Sequence, residues 1–191
     1  MNQTPATEAA PRPRYIDVAE VAKLIRKHLK KNFAGVKFSV RISRYAGGSS
    51  INVGWTDGPT QAEVEKVTGP FQGSRFDGMI DLQYCASQWY CDEHGARVAE
   101  IYGHGNGLDG IGASRCCAKA EHVNMLGDYI HERRELSDEF LGELAAQVRK
   151  ESGMPAEGDL LDEVPSNSIH AYDSWTRVRE AARRLSRGIS R

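Results

Sequence analysis

VKFSVRISRYAGGSSINVGW, residues 36–55, decides the fold of this 191-residue chain. Val36, Phe38, Val40 and Ile42 alternate with Lys37, Ser39 and Arg41, and beyond a Gly-Gly-Ser-Ser turn at 47–50 the alternation resumes with Ile51, Val53 and Trp55. A period of two puts alternate side chains on opposite faces of a strand. Two such runs around a glycine-rich break read as a hairpin with one apolar face and one polar face, closed by the turn Thr56-Asp57-Gly58-Pro59.

Working outward, Val18, Val21, Ile25, Leu29 and Phe33 recur at helical spacing within residues 16–33, with Lys23, Lys27, Lys30 and Lys31 largely on another face and Gly35 as the stop. Downstream, Thr60 caps a helix over 61–67 with Glu63 as the acid of a capping box, and Gly69-Pro70 ends it. Residues 76–84 and 97–102 read as two further strands around a loop that holds Cys91 and His94; residues 103–112, half of them glycine, read as loop. From Ala118 the pattern is read as helical to about His131, and again from a Ser137 cap to about Glu151. A polar stretch with Pro155 and Pro165 leads to a last helix at 174–187, with Trp175, Val178, Ala182 and Leu185 on one side to pack on the body or a partner. The expected fold is therefore α+β: an N-terminal helix, a small, mostly antiparallel sheet containing the 36–55 hairpin, and a helical C-terminal part. The expected organisation is a disordered lead at 1–14, a domain at 15–151, a linker at 152–171 and a C-terminal helix at 172–191.

Charge is segregated along the chain. Residues 12–44 carry ten Lys/Arg against Asp17 and Glu20, residues 57–163 carry nine against 21 Asp/Glu, and the tail from Asp173 is basic again, so a formal net charge of −1 hides fields of opposite sign. Such a surface suits a charged macromolecular partner. The polar, Pro-rich lead has no apolar core of a signal peptide, and no stretch approaches the roughly 18 apolar residues of a membrane span, so the expected location is cytoplasmic, with no membrane partner.

The candidate nucleic-acid-binding residues are Lys23, Arg26, Lys27, Lys30, Lys31, Lys37, Arg41 and Arg44, which extend a basic stripe beyond one element and are suited to phosphates. Of the nearby aromatic residues, Tyr45 is the stacking candidate, while Trp55 in the alternating run reads as core. The opposing candidate is acidic. Residues 121–163 hold twelve acids against four bases, and a helix pair exposing Glu132, Asp138, Glu139 and Glu143 would imitate a line of phosphates for a protein partner. Cys85, Cys91, His94, His104, Cys116, Cys117 and His122 admit zinc by residue type. Only Cys91-x-x-His94 has the spacing of a ligand pair, and adjacent cysteines rarely share an ion, so the expectation is no cofactor and reduced, partly buried thiols. Gly105-x-Gly107-x-x-Gly110 has the form of a dinucleotide loop, but the hairpin-rich start does not supply the parallel sheet that such a loop needs. Asp77 and Asp81 would share a strand face, although their Asp-Gly context favours turns. No catalytic residue is assigned.

Asp17-Val18-Ala19 through Lys37-Phe38-Ser39-Val40-Arg41, then Tyr45-Ala46-Gly47-Gly48-Ser49-Ser50-Ile51-Asn52-Val53, Trp55-Thr56-Asp57-Gly58-Pro59-Thr60 and Phe76-Asp77-Gly78-Met79-Ile80-Asp81 together resemble the large polyvalent protein-associated domain of the twenty-ninth type, over about residues 15–84. The resemblance implies a protein of phages, plasmids or conjugative elements that helps incoming DNA survive host defences. It carries no catalytic residues over. The expected function is a non-catalytic accessory protein that counters a defence system, of the anti-restriction or anti-CRISPR type, by docking a charged face on a defence complex. The alternatives are a DNA- or RNA-binding protein using the basic 23–44 face, and an enzyme with a glycine-loop or metal site.

Overall fold

The computed structural model describes residues 13–79, 81–99 and 115–152. Its elements run β1 (Arg14–Ile16), α1 (Val18–Asn32), β2 (Ser39–Tyr45), β3 (Gly48–Thr56), α2 (Gln61–Thr68), a 3-10 turn (Gly69–Phe71), β4 (Ser74–Asp77), β5 (Leu82–Cys85), β6 (Ser87–Cys91), β7 (Gly95–Val98), β8 (Glu121–Met125), β9 (Tyr129–Glu135) and α3 (Asp138–Ser152). Helices and sheets of four, three and two strands make the fold α+β. The glycine loop at 103–112, the linker and the helix expected at 174–187 lie outside the described residues. The β2–β3 hairpin forms as its alternation predicts, but its turn is tighter than the 47–50 reading: Ala46 and Gly47 make it, with Gly47 at φ +90°, and Gly48 already belongs to β3.

The chain clusters into two compact units, one from Met1–Leu24, Ile42–Ile51 and Gly69–Ile130, the other from Ile25–Arg41, Asn52–Thr68 and His131–Arg191. The first contains the four-stranded sheet, ordered β1-β8-β6-β7. β1 lies parallel to β8 with Ile16 opposite Met125, and β6 is antiparallel both to β8, with Gln88 opposite Val123, and to β7, with Trp89 opposite Arg97. Ile16, Val21, Ile51, Phe71, Val123 and Met125 are buried in it. So is Gln88, whose amide donates to Gln72 O (3.0 Å) and accepts from Met125 N–H (3.2 Å), so that this buried polar group is paired. The half-buried Asp128 carboxylate accepts from Ser49 N–H (2.6 Å) and from the Ser74 hydroxyl (3.1 Å).

Three readings of this region are corrected. The helix expected at 118–131 is instead the strands β8 and β9. Val123 and Met125, and then Ile130, point inward at strand spacing, and five- and seven-residue strands are too short for the sequence period to separate them from helix. The pairing partners decide the matter by supplying the ladder hydrogen bonds, β1 and β6 for β8 and β3 for β9. The strand expected at 76–84 is a hairpin, β4 to β5, with Asp81 at φ +52° in its turn, so Asp77 and Asp81 do not share one strand. Part of the loop expected around Cys91 is the strand β6.

The second unit has Ile25 and Leu29 of α1, Phe33 just beyond it, and Val40, Val53, Trp55, Val64, Phe140 and Leu144 as its buried apolar residues. The Phe38 ring lies between Phe33 (5.8 Å) and Trp55 (5.6 Å), and the Trp55 indole N–H donates to Pro59 O at 2.9 Å, which makes Trp55 core as expected. The capping box forms as read: Thr60 N–H donates to the Glu63 carboxylate (2.8 Å) and Glu63 N–H to the Thr60 hydroxyl (3.3 Å). Ser137 caps α3 by accepting from Phe140 N–H (3.2 Å), and its own hydroxyl donates to Asp57 (2.7 Å).

Candidate functional site

Alternation along three strands builds an open groove in the second unit. On β3, Val53 and Trp55 turn inward, which leaves Asn52 and Thr56 exposed and half-buried Gly54 between them. On β9, Glu132 and Arg134 are half-buried, while His131, Arg133 and Glu135 face out. With Lys37, Phe38, Ser39 and Arg41, the β3 residues 52–56 and the outward-facing β9 residues line a groove of about 670 Å³ in which polar Ser39, Asn52 and Thr56 stand beside apolar Phe38, Val53 and Trp55. Lys37, Arg41 and Arg133 supply positive charge against one acid, Glu135, which sits 3.6 Å from Arg133. Both partners of that pair are largely exposed, so it holds Arg133 only weakly. Lys37 and Arg41 make no ion pair among the described residues.

All eight basic candidates are exposed. Lys37 and Arg41 are in the groove. Arg26, Lys27, Lys30 and Lys31 follow one another on the α1 surface of the same unit, where the Arg26 guanidinium donates to Val40 O. Lys23 and Arg44 belong to the first unit, and Arg44 pairs with Asp17 at 3.7 Å. Sequence reasoning missed Asn52, Gly54, His131 and Arg133. The first two were legible as the polar face of an alternating strand; His131 was hidden by reading 118–131 as helix, and Arg133 fell between that helix and the one read from Ser137.

The acidic candidates do not share a helix face. Asp138, Glu139 and Glu143 are exposed on α3, but Glu132 is on β9, where it accepts a hydrogen bond from the Thr68 hydroxyl. Burial is the main influence on the Glu132 carboxyl and lifts it above the ordinary carboxylate range, against the Thr68 hydrogen bond. Its bond to Thr68 ties β9 to α2.

In the first unit, a cleft of about 530 Å³ is lined in part by Arg14, Glu20, Tyr90, Cys91, Cys117 and Glu121. Arg14 pairs with Glu121 (3.3 Å) and Glu20 (3.7 Å), and with Asp92, Glu93 and Lys119 also on its lining the cleft is acidic on balance. Burial pushes the Tyr90 phenol up, and its hydrogen bond to Asp92 adds to that, so it remains protonated. Beside the cleft, four of the seven ligand-type residues converge: the donor atoms of Cys91, His94, Cys116 and Cys117 all lie within 4.8 Å of one another. Cys91 Sγ is 3.3 Å from His94 Nδ1 and 3.2 Å from Cys116 Sγ, and Cys116 Sγ is 3.8 Å from Cys117 Sγ. Cys85 is exposed on β5, and His122 stacks on Trp89 at 4.8 Å. His104 lies outside the described residues.

No helix of the described residues is long and apolar enough to cross a membrane. No curated protein and no solved structure matches the chain. A family model does match, over residues 16–137, well over half of the chain; it contains the groove and the thiol cluster and runs far past the 15–84 stretch that carries the sequence resemblance. The chain thus belongs to the family described as large polyvalent protein associated domain 29.

Proposed function

We propose that this protein is a non-catalytic accessory protein of a mobile genetic element that binds nucleic acid through the second unit. The observation that carries this reading is the groove. An open sheet face that carries Lys37, Arg41 and Arg133 together with polar Ser39, Asn52 and Thr56 suits an extended polyanion, and Arg26, Lys27, Lys30 and Lys31 of α1 add to the positive field of the same unit. With the exposed aromatic Tyr45 in the first unit and Trp55 packed inside, the contacts are to phosphate more than to bases, which makes binding tolerant of sequence. The defence-countering role that the family context suggests is then exercised on the nucleic acid, by occupying it in the host cytoplasm. Docking of an acidic helix pair on a defence complex has less support, because Glu132 is engaged with Thr68 and only Asp138, Glu139 and Glu143 remain on a helix surface.

The test is binding of the full chain to short labelled single- and double-stranded DNA and RNA across a salt series. The expected result is an affinity whose logarithm falls linearly with log salt, and a slope smaller by about one for each phosphate contact removed by Lys37→Ala or Arg41→Ala. Equal affinity in the parent and in a Lys37→Glu, Arg41→Glu double variant would remove the groove reading. No binding at low salt would move the search to a protein partner.

A further inference from the structure

We propose that Cys91, His94, Cys116 and Cys117 bind one zinc ion as a closed, structural, three-sulfur and one-nitrogen site that fastens the β6–β7 turn to the segment at 115–120. The inference is independent of the nucleic-acid reading, since all four ligands belong to the first unit.

Geometry is the first argument. A tetrahedral zinc with metal–sulfur distances of about 2.3 Å sets its sulfurs about 3.8 Å apart. The Cys116–Cys117 separation is 3.8 Å, the Cys91–Cys116 separation is 3.2 Å, and no pair of the four donors exceeds 4.8 Å, so small side-chain adjustments complete a tetrahedron. A disulfide needs sulfurs about 2.0 Å apart, and one bond among three thiols would leave the third thiol and the imidazole without a role. Adjacent cysteines seldom ligate one ion, but here residues 116–119 bend the chain and both sulfurs reach the same cluster.

Local backbone design is the second argument. Cys91 closes β6 and Gly95 opens β7 as its register partner, with Gly95 at φ +78°, a conformation that favours glycine. This tight turn carries His94 back over Cys91, and His94 N–H donates to Cys91 Sγ at 3.2 Å. An amide aimed at sulfur stabilises the thiolate, the form that binds metal. Cys91 is buried, Cys116 and Cys117 are half-buried, and His94 is exposed, so the cluster sits at the margin of the unit where an ion can enter.

Mixed thiolate and imidazole donors at tetrahedral spacing select zinc over the oxygen-seeking magnesium and calcium ions. Four protein ligands leave no open position for a substrate, so the ion is structural. On binding, the thiols release their protons to solvent, and no redox change occurs.

The experiment is elemental analysis of the full chain purified without chelator, followed by cobalt exchange and absorption spectroscopy. One zinc per chain, and a cobalt form with tetrahedral d–d bands and thiolate charge-transfer bands, are expected. Cys85→Ser should keep the full complement of metal. His94→Cys should keep one metal and shift the cobalt bands toward those of an all-thiolate site, while a Cys116→Ser, Cys117→Ser double variant should lose metal. The proposal is overturned by a native chain that holds no zinc and takes up no cobalt, by an intact mass lower by two hydrogens that reports a disulfide, or by metal retained in the double variant. The stoichiometry and spectrum of the unmodified chain decide the matter even if a serine variant fails to fold.

Discussion

At Gly73 a single methyl group is more than the chain can admit. A Cβ there would stand 1.8 Å from Met125 O, while Gly73 N–H donates to Gly127 O at 2.8 Å and Gly73 O accepts from Ala86 N–H at 2.7 Å. Gly73→Ala must therefore push two backbone segments apart and break hydrogen bonds on both sides. A loss of roughly 3 kcal/mol is expected in urea unfolding, and a loss near zero would show that the close approach relaxes without cost. Glu132 supplies a test of opposite sign. Its carboxyl is raised by burial, so the folded state holds its proton more tightly than the unfolded state. The associated stability is complete below the ordinary carboxylate value and is lost as pH rises through the raised one. Glu132→Gln is uncharged at every pH and can still accept from Thr68, so it should resist urea better than the parent at neutral pH, with the advantage closing on acidification. A variant weaker than the parent at neutral pH would show that the charged hydrogen bond outweighs burial.

Elements differ in how openly they announce themselves. The capping box at Thr60 and Glu63 was read from four consecutive residues, because a cap is satisfied within one turn. Thr60→Ala removes the hydroxyl that accepts from Glu63 N–H, and about 1 kcal/mol of stability should go with it in denaturant unfolding. An unchanged midpoint would mean that water replaces the cap. β8 and β9 were missed for a different reason. EHVNM and YIHERRE carry few strand-forming residues, and their strand state comes from long-range pairing such as Val123 with Arg14 and with Gln88. The same mistake hid His131 from the groove and left Arg133 and Glu135 unassigned, since only a period of two turns all three to one face. A wrong period thus costs both an element and part of a site.

At the scale of the molecule, charge and metal chemistry are divided between the two units. The groove and most α1 cations are in one, and the Cys/His cluster is in the other. Chelation is therefore expected to act on one unit only: hydrogen exchange with and without chelator should show protection lost at residues 87–98 and 115–125, with α2 and α3 unchanged. Uniform loss throughout would mean that the units unfold as one, and no change would count against a bound ion. The charge segregation itself was plain from the sequence, because composition along a chain needs no fold to be counted.

The sequence by itself determined the hairpin, α1, the helix caps at Thr60 and Ser137, the core role of Trp55 and the polarity of the charged segments. Each depends on periodicity or on partners within a few residues, where local geometry leaves few choices. Only the tertiary structure decided that 121–125 and 129–135 are strands, that Glu132 meets Thr68, and that Arg133 joins Lys37 and Arg41 in a groove. It alone brought Cys116 and Cys117 to Cys91 and His94, 25 residues away along the chain from Cys91 to Cys116. A metal tetrahedron or a binding groove is a relation between distant side chains, and spacing along the chain carries no record of that distance until the backbone has turned.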